Sequence, residues 1–222
     1  MTVNRTEIGL APLCFFTAAL TVVTIHSCWL LASWEGYVAW CNPYWSDCVS
    51  VSETGRNGSA YFVFKGGIIA ACVFQGIVWQ LSRYWLINQG GKNGALPVLG
   101  WSAAVALAIY SLSLGHAGDT FRMLRRLGVV LYIALSFFCF LSCAAGLIQT
   151  RMKTFGVAML NYSLMTLAVA IVSLGLDALL GDDYNRIENA FEWWLLMLLN
   201  LQLFGLAWLW RRSQFSAALV SV

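Results

Sequence analysis

The sequence predicts an all-α protein, a polytopic membrane bundle of six transmembrane helices, on three observations. Hydrophobic residues make up 60% of the chain and charged residues only 10%, whereas a soluble domain carries roughly 25% charged residues. The apolar residues fall into six runs of about 20 residues, which is long enough for a helix to cross the hydrocarbon core of a bilayer. The chain has only three prolines, so these runs are free to form helices.

The six apolar runs are predicted as spans of one transmembrane domain that covers residues 1–222. The first run is read as a retained span because its end lacks a small-x-small cleavage site. Short connections favour antiparallel neighbours, and the one long connection is an external loop over residues 33–59. The predicted spans are residues 8–32, 60–82, 95–115, 127–148, 155–180 and 191–210.

Basic residues near the helix ends predict the orientation, because they are enriched on the cytoplasmic side of a membrane. With six spans both termini lie on one side, and cytoplasmic termini place most acidic residues outside. We therefore expect a multi-pass protein of a plasma, inner or internal eukaryotic membrane with both termini cytoplasmic. The basic residues are then Arg5, Arg83, Lys92, Arg151, Lys153, Arg211 and Arg212 inside, and Arg56, Arg122, Arg125, Arg126 and Arg186 outside.

Two of the seven cysteines, Cys41 and Cys48, lie in the predicted external loop. An extracytoplasmic compartment is oxidising and favours a disulfide between them, although the sequence leaves the bonded and the free states open. No histidine lies close by, and two thiolates do not complete a tetrahedral metal site. We predict no metal and no cofactor.

The most polar stretch runs from Asp47 to Ser59 and leads into the second span, which carries Lys65. One interpretation is that Lys65 snorkels to the outer interface. The other is that it points inward and pairs with an acid, since an intramembrane charge is costly unless it is compensated. The candidate partners, Glu53, Asp177 and Glu192, are all predicted on the same side.

A second group of charged residues follows the third span. His116 and Asp119 come first, and Arg122, Arg125 and Arg126 follow. This segment is either a solvated loop or a basic rim that holds a phosphate headgroup, because Arg makes bidentate contacts with such oxygens. In the second case His116 is a candidate general base, since its pKa can be tuned near neutral.

The segment Ser52-Glu53-Thr54-Gly55 resembles the Ser-Asp-x-Gly-like turn that ends the first external loop in one membrane protein family. That family holds the DRAM autophagy modulators and the lipid-remodelling factor that acts after GPI attachment. Glu192-Trp193 resembles the family's Glu-Trp or Glu-Tyr at the last span, and Gly128 with Tyr132 gives a third similarity. Where the family often has a histidine before that glycine, this chain has Arg125. The resemblance implies five or six spans and a role in lipid handling.

Three functions remain open on these residues. The first is binding or organising lipid headgroups, or a membrane protein partner, at the extracytoplasmic face; nucleic acid is not expected, because the net charge is only +3. The second is a lipid acyltransferase or hydrolase with His116 as base and Asp119 or Glu53 as its orienting acid. The third is a small-solute transporter. The candidate ligand-binding residues are Ser52, Glu53, Gly55, Arg56, Lys65, Arg122, Arg125 and Glu192.

Overall fold

A computed structural model describes residues 5–45, 47–92 and 94–220. The described chain is predominantly helical and its fold class is all-α, as predicted. Two short strands, β1 and β2, pair antiparallel near the two termini and were not predicted. A 3-10 turn at Gly181–Tyr184 joins the last two helices. The elements are β1 (Arg5–Gly9), α1 (Ala11–Trp34), α2 (Val51–Thr54), α3 (Gly58–Asn88), α4 (Leu96–Ser113), α5 (Asp119–Ile148), α6 (Lys153–Leu180), α7 (Asn185–Arg212) and β2 (Ser216–Val220).

The six long helices form a closed ring in which neighbours run antiparallel. Contacts join α1 to α3, α3 to α4, α4 to α5, α5 to α6, α6 to α7 and α7 back to α1. In the first pair Phe16 packs on Phe74, while the Cys28 thiol donates to the Ala60 carbonyl nearer the other end. The strands lie at one end of the ring, which we call the terminal end. The loop between α1 and α3 lies at the opposite end, which we call the loop end.

Among the residues that the structure describes, five helical stretches are long and apolar enough to cross a membrane, and the last of them, Lys153–Arg212, contains both α6 and α7. The two helices fold back on each other: Gln202 donates to the Met159 carbonyl, and the Ser173 and Tyr184 hydroxyls are hydrogen-bonded. The turn that joins α6 and α7 is itself helical. A criterion of helix length and hydropathy therefore treats the two helices as one stretch, whereas the sequence predicts two spans.

Two helices begin earlier than predicted. Helix α5 begins at Asp119 rather than at residue 127, so Arg122 and Arg125 lie on its first two turns and not in a loop. Helix α7 begins at Asn185, which places Glu192 about two turns inside it. The reason is that the spans were predicted from apolar runs, whereas a helix continues into polar sequence as long as its backbone hydrogen bonds are made.

Glycines bring α3, α4 and α5 into close contact, and small residues serve this purpose in membrane helices. A Cβ on Gly100 of α4 would collide with the Cβ of Trp79 on α3. A Cβ on Gly128 of α5 would lie 2.9 Å from the Cβ of Tyr110 on α4. The close approach of α5 at Gly128 buries the Tyr110 side chain near the loop end.

Candidate functional site

The loop between α1 and α3 is docked on α7, whose side chains bind it turn by turn. The Arg186 guanidinium makes a bidentate ion pair with Asp47, with both N···O distances at 2.9 Å. Further along α7, Asn189 donates to the Cys48 carbonyl at 2.6 Å and Trp193 donates to the Val49 carbonyl at 2.9 Å. Spacings of three and four residues place these groups on one helix face, so α7 fixes the path of the loop.

A disulfide joins Cys41 and Cys48, whose Cα atoms are 5.6 Å apart. Of the two states that the sequence leaves open, the structure therefore shows the bonded one. It closes the segment that precedes α2 and holds it at the point where Asn189 binds the Cys48 carbonyl.

Helix α2 is held by a capping box. The Ser50 hydroxyl accepts from the Glu53 amide at 3.2 Å, and the Glu53 carboxylate accepts from the Ser50 amide at 2.9 Å. Glu53 is therefore engaged with the backbone. After α2, Gly55 is buried, and a Cβ there would lie 2.5 Å from the Phe64 ring, so glycine lets α2 pack on α3.

Lys65 does not pair with an acid. Its ammonium donates to the Tyr61 hydroxyl at 2.5 Å and to the Leu112 carbonyl at 3.4 Å, and it lies 4.2 Å from the centre of the Tyr61 ring. None of the described carboxylates comes within 4 Å of it. The predicted pairing of Lys65 with Glu53, Asp177 or Glu192 is wrong, because hydroxyl, carbonyl and aromatic groups already satisfy the ammonium.

Arg56 and Tyr110 carry hydrogen-bond donors that have no partner in the described part of the chain. The Arg56 guanidinium donates to the Ser52 hydroxyl at 2.7 Å, but its Nε is buried and unpaired. The Tyr110 side chain is only 4% exposed, and its hydroxyl is also unpaired. Leaving a buried donor unpaired costs about 1–3 kcal/mol, so an acceptor that reached either group would recover part of that cost.

Arg125 adds positive charge beside these two donors. Its guanidinium donates to the Ser113 and His116 carbonyls at 3.1 and 3.0 Å, and the charges of Arg56 and Arg122 act on it. Among the described residues no carboxylate lies within 4 Å of Arg56 or Arg125. The positive charges of Arg56 and Arg125 are therefore not cancelled by a direct ion pair.

Glu192 is the acidic member of the same group. Its carboxylate accepts from the Val51 amide at 3.3 Å, and it acts electrostatically on both Arg56 and Tyr110. We call Ser52, Arg56, Tyr110, Arg125 and Glu192 the loop-end cluster. It unites residues of the α1–α3 loop, α4, α5 and α7, and its buried donors and net positive charge suit it to hold anionic oxygens.

Arg122 and Arg126 lie at the margin of this cluster. Arg122 pairs with Asp119 at 3.6 Å, and both side chains are largely exposed. Together with Arg126 these residues line a shallow hollow of about 330 Å³ that is formed by α5 alone. Arg122 thus adds positive charge at the surface next to the loop-end cluster, but the hollow that it lines is too open to be a binding site by itself.

His116 is exposed and stacks on the Phe121 ring, with the ring centres 4.8 Å apart. It lies in a turn flanked by Gly115 and Gly118, which both have positive φ angles, +79° and +105°. In the described structure its ring forms no hydrogen bond with Asp119 or Glu53, which are bound elsewhere. The predicted pairing of His116 with either acid is not formed.

Tyr44 joins the docked loop to α1 through His26. The His26 Nδ1 lies 2.7 Å from the Val22 carbonyl and must donate to it, so that in the neutral ring Nε2 accepts from the Tyr44 hydroxyl at 2.8 Å. A tyrosine hydroxyl is already protonated near neutral pH, and burial raises the pKa of Tyr44 further, so this group is a donor. His26 thus holds the loop.

The protein is thus a helical chain that has apolar helices of membrane length and carries the positively charged loop-end cluster at one end. No protein-family model, no curated protein and no solved structure matches it. The residues that could be recognised from sequence are Ser52, Arg56, Arg125 and Glu192. Tyr110 was missed, because a tyrosine in an apolar run carries no sign that its hydroxyl is unpaired.

Proposed function

We propose that the chain is a six-span integral membrane protein in which α6 and α7 cross separately. Each has 28 residues, or about 42 Å of helix, which is enough to span the hydrocarbon core. The excess of basic residues at the terminal end supports cytoplasmic termini. The Cys41–Cys48 disulfide supports an oxidising compartment at the loop end.

We further propose that the loop-end cluster binds the anionic headgroup of a membrane lipid. The observation that carries this proposal is that the buried Tyr110 hydroxyl and the Arg56 Nε, both donors, have no described partner. A phosphate offers several acceptor oxygens and makes strong charge-assisted bonds with Arg. Tyr110 lies three residues before the end of α4, about 5 Å along the helix axis, so the site would lie near the headgroup level.

Each member of the cluster then has a role. Arg56 and Arg125 would contact the phosphate, while Ser52 orients Arg56 through the 2.7 Å hydrogen bond. The Tyr110 hydroxyl would donate to an ester or phosphate oxygen. Glu192 balances part of the positive charge and anchors α2 through the Val51 amide. The role of Lys65 would be to hold α3 against α4 rather than to contact the ligand.

The proposed function is therefore lipid handling, in line with the resemblance of the Ser52–Gly55 turn and of Glu192-Trp193 to the DRAM and GPI-lipid-remodelling family. The proposal also includes binding of a membrane protein partner at the face where the loop-end cluster lies. We do not propose lipid acyl transfer or hydrolysis, because His116 lacks an orienting acid among the described residues. Small-solute transport is not proposed either, because no observation favours it.

Native mass spectrometry of protein extracted gently from its membrane, with analysis of the lipids that stay bound, tests this proposal. We expect one anionic lipid class to be enriched over its share of the bulk membrane, because the cluster offers positive charge and unpaired donors. A zwitterionic detergent exchange serves as a control that removes loosely held annular lipid. Retained lipids that mirror the bulk composition would contradict the proposal.

A further inference from the structure

A groove between α6 and α7 in the terminal half of the bundle is separate from the loop-end cluster. It has a volume of about 300 Å³, at the lower end of the range of ligand pockets. Its walls are Phe155, Met159 and Tyr162 on α6 and Gln202, Gly205 and Trp208 on α7. Nothing lies within 4 Å of where a Cβ on Gly205 would project, so the absence of a side chain there keeps the groove open.

A positive charge lies at the mouth of this groove. The Arg212 guanidinium carbon is 5.1 Å from the centre of the Phe155 ring and 5.4 Å from that of the Trp208 ring, and the two rings pack edge to face. Among the described residues no carboxylate lies within 4 Å of Arg212. The aromatic pair thus holds an unneutralised guanidinium where the apolar walls end.

We infer that this groove holds one acyl chain of an anionic phospholipid, whose phosphate binds Arg212. Apart from Gln202 and the Tyr162 hydroxyl the walls are apolar, and Leu201 and Trp208 on the rim are half exposed, at 47% and 49%, which is the surface that an acyl chain covers. Arg212 is the last residue of α7, so the phosphate would lie at the end of that helix. The acyl chain would then run along the groove between α6 and α7. The charge selects an anionic lipid over a zwitterionic one.

This inference rests on the proposed membrane placement but not on the loop-end cluster, which lies at the other end of the helices. Lipid bound in the groove but not at the loop-end cluster would support this inference and contradict the headgroup site. Lipid bound only at the loop-end cluster would have the opposite meaning. A second copy of the chain is the alternative occupant of an apolar groove, and the experiment distinguishes it.

The experiment uses the full chain in nanodiscs that contain phosphatidylglycerol with a photoactivatable diazirine in mid-chain, or phosphatidylcholine with the same chain. Cross-linked residues are mapped by peptide mass spectrometry. We expect phosphatidylglycerol adducts concentrated on the groove residues. Gly205→Leu should reduce them about tenfold, because its side chain fills the groove and takes the place of acyl-chain contacts. Gly175→Leu is the matched control, since Gly175 also faces open space on α6.

Arg212→Gln tests the headgroup contact with a surface substitution that keeps the fold. We expect the preference for phosphatidylglycerol over phosphatidylcholine to fall about tenfold, whereas Arg211→Gln should leave it unchanged, because Arg211 makes no such contact with an aromatic ring in the described part of the chain. Adducts spread evenly along all the exposed helix faces, equal labelling by both lipids, or groove residues that stay unlabelled in nanodiscs that hold two copies of the chain would overturn the inference.

Discussion

Replacing Arg56 and Arg125 together by Gln is expected to lower the affinity for an anionic lipid by about 100-fold or more. The physical reason is that each guanidinium would lose a charge-assisted hydrogen bond to phosphate, and such bonds contribute about 1.5–3 kcal/mol each. Both side chains lie in the loop-end cluster without a described carboxylate within 4 Å. The measurement is lipid titration in native mass spectrometry, with a neutral lipid as reference.

Arg126→Gln is the matched control for the Arg125 member of that pair. It removes one charge from the same turn of α5, but Arg126 lines the exposed hollow with Asp119 and Arg122 and not the cluster. We expect a change of about twofold at most, since exposed charges are screened. If Arg126→Gln weakens binding as much as the double variant, the attraction is a diffuse surface effect and no site exists.

Trp193→Ala is expected to lower the free energy of unfolding by about 3–5 kcal/mol, the usual cost of truncating a buried large aromatic residue. The Trp193 side chain is fully buried, packs on His26, and donates to the Val49 carbonyl of the docked loop. The variant therefore leaves a cavity and releases the segment before α2. Denaturant titration in mixed micelles measures the loss.

Trp194→Ala provides the comparison, because Trp194 is the next residue but is 48% exposed. Its indole donates to the Tyr44 carbonyl at 3.2 Å, so we expect a loss of about 1 kcal/mol. Trp193→Phe keeps most of the packing and removes only the hydrogen bond, and it should fall between the two. Equal losses for Trp193→Ala and Trp194→Ala would show that α7 does not anchor the loop in the way described.

The positions of the long helices could be predicted because apolar runs of membrane length have few alternatives to helix. Their ends could not, since α5 and α7 continue into sequence that contains Arg122, Arg125 and Glu188. The strands β1 and β2 escaped prediction for a different reason. Each has only five residues, and each is stable only because the ring of helices brings the two ends of the chain together.

The candidate site was predicted in part. Ser52, Arg56, Arg125 and Glu192 were recognised as unusual polar residues near the ends of apolar runs. The predicted pairing of Glu53 with Lys65 was wrong, although the sequence carried a sign of the contact that Glu53 makes, since Ser50-Val51-Ser52-Glu53 has the S-x-x-E spacing of a capping box. The role of Tyr110 depends on the charges of Arg56, Arg125 and Glu192, which three other segments bring close to it. The sequence around Tyr110 carries no sign of those neighbours.

Tyr110→Phe tests the headgroup site most directly, because it removes one oxygen atom and keeps the packing of the ring against Phe64. We predict two changes of opposite sign. The lipid-free protein becomes more stable by about 1 kcal/mol, since a buried unpaired hydroxyl is gone, and the affinity for the anionic lipid falls about tenfold. A variant that gains stability but binds the lipid as tightly as the wild-type protein would contradict a headgroup site at the loop-end cluster.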